Sequence, residues 1–292
     1  MIITRLIGGL GNQMFQYAAG RRLAFHHNTE LKLDITRFNE IKNITQRQYY
    51  LSHMQIEGTL ATEDDLDRVP KSTYFTKKLY LIINRAIKRA PPVFVEKESN
   101  FKFNPNFFSL PDNVYLEGYW QSEKYFKTIE NEIRSDFILK EKPDLHNALV
   151  ADEIEKSNAV SIHIRRGDYI ANPITFEYHG VCPLEYYYAA INFIAKKISD
   201  THFYIFSDDP KWVQQNLKIN FPHTYVTHNQ NSKDYMDLWL MSLCKHHVIA
   251  NSSFSWWGAW LSNNKDKIVI APKKWFNQPY IDIKDLIPDS WY

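Results

Sequence analysis

The first 34 residues alternate between short apolar runs and a longer segment with helical spacing. Residues 2–7 are mostly apolar, which is typical of a buried strand. Large apolar side chains recur near the helical period over residues 12–27, which predicts a helix, and residues 29–34 predict a second strand. The order strand, turn, helix, strand is the β-α-β unit that begins a parallel sheet.

The pattern is weaker in the middle of the chain. Residues 60–100 are charged and helical in character, and Pro91-Pro92 interrupts them. Residues 113–118 predict another strand, and residues 122–137 predict a helix after it. This region therefore continues the alternation of strands and helices.

A polar segment at residues 141–158, which contains Pro143, is typical of a connection between domains. The chain has 292 residues, a length that suits two domains better than one. We therefore predict an N-terminal domain of residues 1–150 and a C-terminal domain of residues 151–292.

The second half alternates more clearly. Four apolar runs predict strands, at residues 159–164, 202–207, 247–250 and 267–271. Helix signals follow the strands, at Pro183, at Asp209-Pro210, over residues 232–245 and after Asn251-Ser252-Ser253. Repeated β-α units in both halves predict an α/β fold of two Rossmann-like domains that face a central cleft.

Composition narrows the class of protein. Hydrophobic residues make up 44% and charged residues 23%, so the chain can bury a core and is not disordered. A net charge of +2 is too small for the electrostatic footprint of a nucleic-acid-binding protein. Two cysteines do not make a disulfide framework, and they fit a reducing compartment. We see no signal peptide and no membrane span, and we expect a cytoplasmic protein.

The loop after the first predicted strand resembles a dinucleotide fingerprint. Gly9 and Gly11 lie between a strand and a helix, and Asp34 ends the next strand. Met14 occupies the position of the third glycine, where a large side chain blocks close packing of helix on strand. A nicotinamide-dependent oxidoreductase is thus a weak alternative. The other readings are a tight turn with a polar cap, or Asn12 and Gln13 at the helix N-terminus lining the cleft and hydrogen-bonding a ligand.

The stretch at 161–169 carries two adjacent arginines at a strand end. His163, Arg165 and Asp168 share one face by the period of a strand, whereas Arg166 points elsewhere unless the turn swings it round. Guanidinium groups match phosphate oxygens and stay charged at any working pH. This pattern predicts a diphosphate site, with a cluster of surface ion pairs as the alternative.

Two further strand ends carry candidate ligands. Asp208 follows a strand and can accept hydrogen bonds from a guanine or a ribose, while Asp209 caps the next helix. Ser252 and Ser253 begin a helix whose free N–H groups and dipole suit an anion. The tryptophans that follow are expected in the core.

Three other features have simpler interpretations. Asp65-Leu66-Asp67 could bind a metal, but it lies at a predicted helix start, where acids favour the helix dipole. The pairs His26-His27 and His246-His247 lack partners at ligand spacing. The amphipathic basic segment Lys77–Arg89 predicts a solvated helix with one buried face, or else a peripheral membrane contact.

Taken together, GGLGNQMFQYA, HIRRGDY, FSDDP and NSSFSWWGAW resemble glycosyltransferase family 11, the α-1,2-fucosyltransferases, in order and spacing over nearly the whole chain. The resemblance implies a GT-B fold and inverting transfer from GDP-β-L-fucose without a metal or other cofactor. The acceptor would be the 2-hydroxyl of galactose in a glycan. Another fucosyl linkage, such as α-1,6, and a non-catalytic sugar-nucleotide binding module are the alternatives, and the oligomeric state stays open.

The resemblance also implies roles for particular residues. Arg165 would bind the β-phosphate of the donor, and Asp208 would read guanine. The other implied donor contacts are Gly11, Asn12, His163, Arg166, Asn251, Ser252, Ser253 and Phe254. Asp168 is our first candidate for the base that activates the acceptor, Glu177 and His179 are the alternatives, and the leaving phosphate could itself accept the proton.

Overall fold

The computed structural model describes residues 1–40, 47–69, 93–96, 101–229 and 233–292. They form two compact units, unit 1 (residues 1–138) and unit 2 (residues 139–292). Each unit contains a five-stranded parallel sheet. The predicted α/β class with two such domains is confirmed.

Unit 1 has the strand order β3-β2-β1-β5-β4, all parallel. The strands are β1 (Ile2–Arg5), β2 (Leu31–Asp34), β3 (Thr59–Leu60), β4 (Val93–Val95) and β5 (Val114–Glu117). The helices are α1 (Leu10–His27), α2 (Arg37–Glu40), α3 (Glu63–Asp67) and α4 (Glu130–Asp136). Helix α1 crosses from β1 to β2, as the first 34 residues predict.

Helix α1 approaches the sheet most closely at Gly20. A Cβ atom at this position would lie 2.0 Å from Thr4 Oγ1 on β1, so only glycine fits. Met14, by contrast, is fully buried in the core of unit 1. A dinucleotide fingerprint requires close contact between helix and strand at the position of Met14. In this protein the close contact is at Gly20, about two turns later along α1.

Unit 2 has the strand order β10-β9-β6-β7-β8, again all parallel. The strands are β6 (Asn158–Ile164), β7 (Thr201–Ser207), β8 (His223–Val226), β9 (His246–Val248) and β10 (Val269–Ile270). The helices are α5 (Leu145–Glu155), α6 (Gly167–Ala171), α7 (Pro173–His179), α8 (Leu184–Lys197), α9 (Pro210–Asn216), α10 (Asp234–Leu243) and α11 (Ser253–Leu261). Hydrophobic clusters cover both faces of the sheet.

The predicted domain boundary at residue 150 is too late, and the polar segment at 141–158 is not a linker. It contains helix α5, whose Val150 and Ile154 pack with Tyr204 and Phe206 of β7. The charged residues on the outer face of this helix resemble the composition of a linker. Its apolar inner face packs in the core of unit 2.

Several local predictions also change. Residues 122–137 form short 3-10 turns before α4 rather than one helix, because Phe126 leaves helical geometry at φ −138°. Strands β4 and β8 and helices α6 and α7 were not predicted. The segment Lys77–Arg89 lies outside the described residues. None of the helices described is both long and apolar enough to cross a membrane.

Candidate active site

The candidate site lies at the carboxyl edge of the sheet in unit 2. Parallel pairing places Ile164 of β6 beside Ser207 of β7, so the residues that follow each strand meet at one edge. A cavity of about 410 Å³ opens there. Its lining comprises His163, Arg165, Ser207, Asp208, Asp209, Pro210, Lys211, Val226, Thr227, Asn229, Asp234, Asp237 and Phe254.

Arg165 is held between two carboxylates. Its Nη2 donates to Asp168 Oδ2 at 2.6 Å, and its Nε lies 3.2 Å from Asp208 Oδ2. Burial by itself would lower the pKa of Arg165, but the charges of Asp208 and Asp168 outweigh it and raise the pKa above its ordinary value. Neither contact uses Nη1. The guanidinium is therefore fixed, charged and able to bind an anion in the cavity.

Arg166 turns away from Arg165, as the strand period predicts. Its Nε donates to Asp209 Oδ2 at 3.0 Å, and its guanidinium lies 3.7 Å from the ring centroid of Trp212. The cation–π contact and the ion pair restrict this side chain. Arg166 is thus bound to helix α9 rather than to the position predicted for the donor.

Asp208 organises the arginine loop. Its Oδ1 accepts the backbone N–H of Arg166 at 2.9 Å, and its Oδ2 faces Arg165. A Cβ at Gly167 would come within 3.1 Å of the same carboxylate, so glycine permits this approach. Both oxygens of Asp208 bond within the protein, which gives it a positioning task different from the predicted reading of guanine. Asp209 caps α9 by accepting from Trp212 N, as predicted.

His163 is a neutral histidine in the cavity wall. It is only 3% exposed and packs against the Phe254 ring at a centroid distance of 5.3 Å. Burial, together with the charge of Arg165, lowers its pKa to about 3. Its Nδ1 has no hydrogen-bond partner among the described residues. A buried, unsatisfied nitrogen beside a cavity is the signature expected of a ligand contact.

The N-terminus of α11 also belongs to this edge of the sheet. Ser252 caps the helix by accepting from Phe254 N at 3.3 Å, and Ser253 is the first helical residue. Asn251, predicted to bind the donor, instead uses its side-chain amide to donate to the carbonyls of His179 and Trp275, and it is 2% exposed. Its short, buried amide joins three loops and does not line the cavity.

The candidates for the base fall in two places. Asp168 contacts Arg165, and the Tyr169 ring beside it stacks on His179 at 4.7 Å. Burial lowers the pKa of His179 to about 4, so this imidazole is neutral at physiological pH. Glu177 is exposed on α7, and none of the contacts found in the described chain joins it to Arg165 or Asp168.

Sequence reasoning missed the part of the cavity wall that α10 contributes. Asp237 lies there, and burial raises the pKa of its carboxyl to about 7. Asn229 donates to its Oδ1 at 2.8 Å. The sequence gives only a weak indication of this site. Asp234 and Asp237 lie one turn apart at the start of α10, where acidic residues usually stabilise the helix dipole.

The glycine loop of unit 1 is internally satisfied. Gln13 is fully buried, donates to the carbonyls of Gly8 and Gln48, and accepts from Tyr50 N. Asn12 Oδ1 accepts from Gln121 at 2.8 Å. Gly11 is buried at the start of α1. The predicted donor contacts of Gly11 and Asn12 stay predictions.

Two alternative sites in unit 1 lose their support. Both oxygens of Asp34 accept hydrogen bonds, Oδ1 from Thr36 and Oδ2 from Tyr115, so this buried carboxylate does not face a ribose. Asp65 forms a capping box with Thr62 at the start of α3 and pairs with Lys32. In the described parts of the chain, no three histidine, cysteine or acidic side chains cluster as metal ligands.

Comparison with known proteins adds family information. The model of "Glycosyl transferase family 11" matches residues 94–292. An alpha-1,2-colitosyltransferase of Escherichia coli is 34% identical over 100% of this chain and 98% of its own length. The O-antigen biosynthesis glycosyltransferase WbnK of Escherichia coli is 35% identical over 98% of each chain. Galactoside 2-alpha-L-fucosyltransferase SEC1 of Bos taurus is 27% identical over 51% of this chain and 42% of its own.

A solved structure supports the fold. A mutant of Arabidopsis thaliana FUT1 in complex with GDP matches with a TM-score of 0.50 at 12% identity, covering 94% of this chain and 71% of that one. At this identity the likeness concerns the fold alone. The expected GT-B fold of two Rossmann-like domains is confirmed.

Proposed function

The chain belongs to glycosyl transferase family 11 and is a glycosyltransferase, and on this premise we propose that it transfers L-fucose from GDP-β-L-fucose to the 2-hydroxyl of a galactose, with inversion. The observation that carries the proposal is Arg165, held by Asp168 and Asp208 in a cavity beside the neutral, unsatisfied His163. The named activities of the bovine fucosyltransferase and of the bacterial α-1,2-transferase support the linkage.

The diphosphate of the donor suits the end of the cavity at Arg165. Nη1 of this guanidinium would donate to the β-phosphate, and the helix N-terminus at Ser252 and Ser253 would add N–H groups and a positive dipole. As the bond to the sugar breaks, negative charge grows on the β-phosphate, and fixed positive groups stabilise it by several kcal/mol. These groups supply the charge that a divalent cation would supply, so we propose that no metal is needed.

The guanine base suits the part of the cavity wall formed by α10. Asp208, the residue implied by the resemblance, bonds to Arg165 and to the backbone of Arg166, whereas the carboxyl of Asp237 lines the cavity from α10. A carboxylate can accept both the ring N–H and the exocyclic amine of guanine, two donors that adenine does not present together. We therefore assign guanine recognition to Asp237, which lines the same cavity as Phe254 and His163.

The transfer step is a single displacement at the anomeric carbon. The acceptor oxygen forms a bond to that carbon while the bond to the β-phosphate oxygen breaks, and GDP leaves with the electron pair. The acceptor proton goes to Asp168, our proposed base, which lies beside the arginine that binds the leaving group. A carboxylate paired with arginine is a weak base, but it suffices if the leaving group departs ahead of proton transfer.

The acceptor is the less defined partner. We propose a glycan that ends in galactose. A second donor deserves a direct test, because the Escherichia coli relative that matches this chain over its full length is named a colitosyltransferase. Colitose is the 3-deoxy counterpart of L-fucose, so the same diphosphate and guanine contacts would serve both donors.

The decisive experiment is a set of reactions with purified protein in excess EDTA. GDP-fucose or GDP-colitose is incubated with lactose or another β-galactoside, GDP release is followed, and the product linkage is determined by NMR. We expect an α-linked fucose on the galactose 2-hydroxyl, formed without metal. If only GDP-colitose supports turnover, the donor sugar in the proposal changes from fucose to colitose, and the proposed reaction and linkage stay the same. Absence of GDP binding by calorimetry would overturn the donor assignment.

A further inference from the structure

A chain of amides runs from the surface of unit 2 to Asp237 in the cavity wall. Asn229 Nδ2 donates to Asp237 Oδ1 at 2.8 Å. Behind it, Asn147 and Asn229 form a reciprocal pair: each side-chain amide donates to the carbonyl oxygen of the other at 2.8 Å. Both side chains are buried, Asn147 completely and Asn229 to 6% exposure. Burying two amides is costly unless they are hydrogen-bonded, and here each satisfies the other.

The orientation of this pair is fixed from its outer end. Asp144 Oδ1 accepts both the backbone N–H of Asn147 and its side-chain Nδ2, at 3.0 and 3.1 Å. His228 Nε2 lies 3.0 Å from Asn147 Oδ1, and its ring stacks on His146 at 3.8 Å. Because the Nδ2 of Asn147 must face a carboxylate, its oxygen faces Asn229. The Nδ2 of Asn229 is thereby directed at Asp237.

We propose that Asn147 and Asn229 are positioning residues that set the base specificity of the donor site, by holding Asp237 as an ionised hydrogen-bond acceptor that selects guanine over adenine. The inference rests on the proposed function, because it takes Asp237 as the residue that reads the base. If Asn229 turned over, its carbonyl would face the carboxyl and favour the protonated form. A protonated Asp237 could donate to the ring nitrogen of adenine, and the preference for guanine would weaken.

The pKa of Asp237 lies near neutral pH, so a change in its hydrogen bonds changes the fraction that is ionised. Burial raises its pKa to about 7, and the hydrogen bond from Asn229 opposes that rise. Other charged and titratable groups surround the same region. They are Asp234 on the same helix, His163, Arg165, Asp208, Asp209 and Lys211 around the cavity, and Asp144, His146, His228 and Lys233 behind Asn147.

The test measures the affinities for GDP and ADP by calorimetry between about pH 6 and about pH 9. For the natural protein we expect GDP to be preferred, with the preference falling as the pH drops below the pKa of Asp237. For Asn229→Leu we expect the midpoint of this profile to move to higher pH, and the preference at pH 7 to fall about tenfold. Raising the pH should restore GDP binding, which a general loss of structure would not do.

Three further variants keep the outcomes distinct. Asn147→Leu, which leaves Asn229 in place but frees its orientation, should shift the midpoint in the same direction by less. It also serves if Asn229→Leu does not fold. Asn158→Leu, an amide at the opposite end of β6, should leave the profile unchanged. Asp237→Asn should lose both the preference for GDP and its pH dependence.

Three results would overturn the inference. An unshifted pH profile in both Asn229→Leu and Asn147→Leu would show that the pair does not position Asp237. An equal loss of GDP and ADP affinity at every pH would show a structural role only. If Asp237→Asn keeps the full preference for GDP, the assignment of guanine recognition in the proposed function fails, and the inference fails with it.

Discussion

The loop after β1 and the loop after β6 each join a buried parallel strand to a helix, yet their polar side chains bond differently. In unit 1, Gln13 and Asp34 are buried and bond to backbone and side chains of the same unit. In unit 2, Arg165 keeps Nη1 outside its two ion pairs, and His163 Nδ1 lacks a partner in the described chain.

This difference teaches which polar loop serves the fold and which serves a ligand. A buried polar group must be satisfied, and the protein itself satisfies the side chains of Gln13 and Asp34. The edge of β6 and β7 instead gathers charged side chains around a cavity, where Nη1 of Arg165 and Nδ1 of His163 are left for a ligand. The glycine motif that looked most like a nucleotide site is therefore the one with the clearest structural explanation.

The largest expected effect comes from Arg165→Lys. Lysine keeps the charge but loses the planar fork that bonds to two carboxylates and a phosphate at once. We expect kcat/KM to fall about 10²–10³-fold and the affinity for GDP to fall about tenfold. The matched variant is Arg5→Lys, since Arg5 ends β1 and pairs with Glu117 at 2.6 Å. It should leave GDP affinity unchanged, and unchanged kinetics in Arg165→Lys would remove the phosphate assignment.

Asp168→Asn should have the next largest effect. Asparagine keeps an oxygen that can accept from Arg165 but cannot take the acceptor proton. We expect kcat to fall about 100-fold while the affinity for GDP stays within about threefold. His179→Gln and Glu177→Gln, assayed in parallel, should reduce kcat far less. If GDP binding weakens as much as kcat, Asp168 only orients Arg165.

The smallest expected effect is on stability below neutral pH. Burial lowers the pKa of His163 to about 3, so the unfolded chain binds a proton below the ordinary pKa of 6.5 that the folded chain does not. Folded-state stability should thus decrease as the pH falls from about 6.5. At pH 5 this linkage amounts to about 2 kcal/mol, which His163→Gln should abolish.

Urea denaturation of the ligand-free protein at pH 7 and pH 5 checks this expectation. Tryptophan fluorescence suits the measurement, because most of the tryptophans, including Trp256, Trp257 and Trp260, lie in unit 2. Gln13→Ala in unit 1 should retain the pH dependence of the natural protein. Parallel pH curves for the natural protein and His163→Gln would contradict the buried, neutral histidine.

Much of the fold could be predicted from the sequence, because strong periodicity and caps coincide. The β1-α1-β2 unit and the cap at Asp209 follow from local signals. Helix α5 could not be distinguished from a linker, because its polar face dominates the composition and its apolar face needs β7 beside it. Short β8 offers too few apolar positions to stand out.

Some residues of the candidate site could likewise be predicted from local sequence, and others could not. Arg165 and His163 are candidates because adjacent charges after an apolar strand are unusual, and the structure places both in the cavity lining. The hydrogen bonds of Asp208 and Asn251 depend on loops that sequence spacing does not bring together, so these contacts within the protein could not be predicted. Asp237 carried no motif, and only the tertiary fold places its carboxyl in the cavity wall.

The most direct test of the central claim is amide hydrogen exchange with and without saturating GDP. The account predicts the strongest protection at residues 163–168, 207–209 and 251–254, at the carboxyl edge of the sheet in unit 2, with smaller changes at residues 8–13. Protection confined to residues 8–13, with none around Arg165, would contradict it and return the nucleotide to the glycine loop.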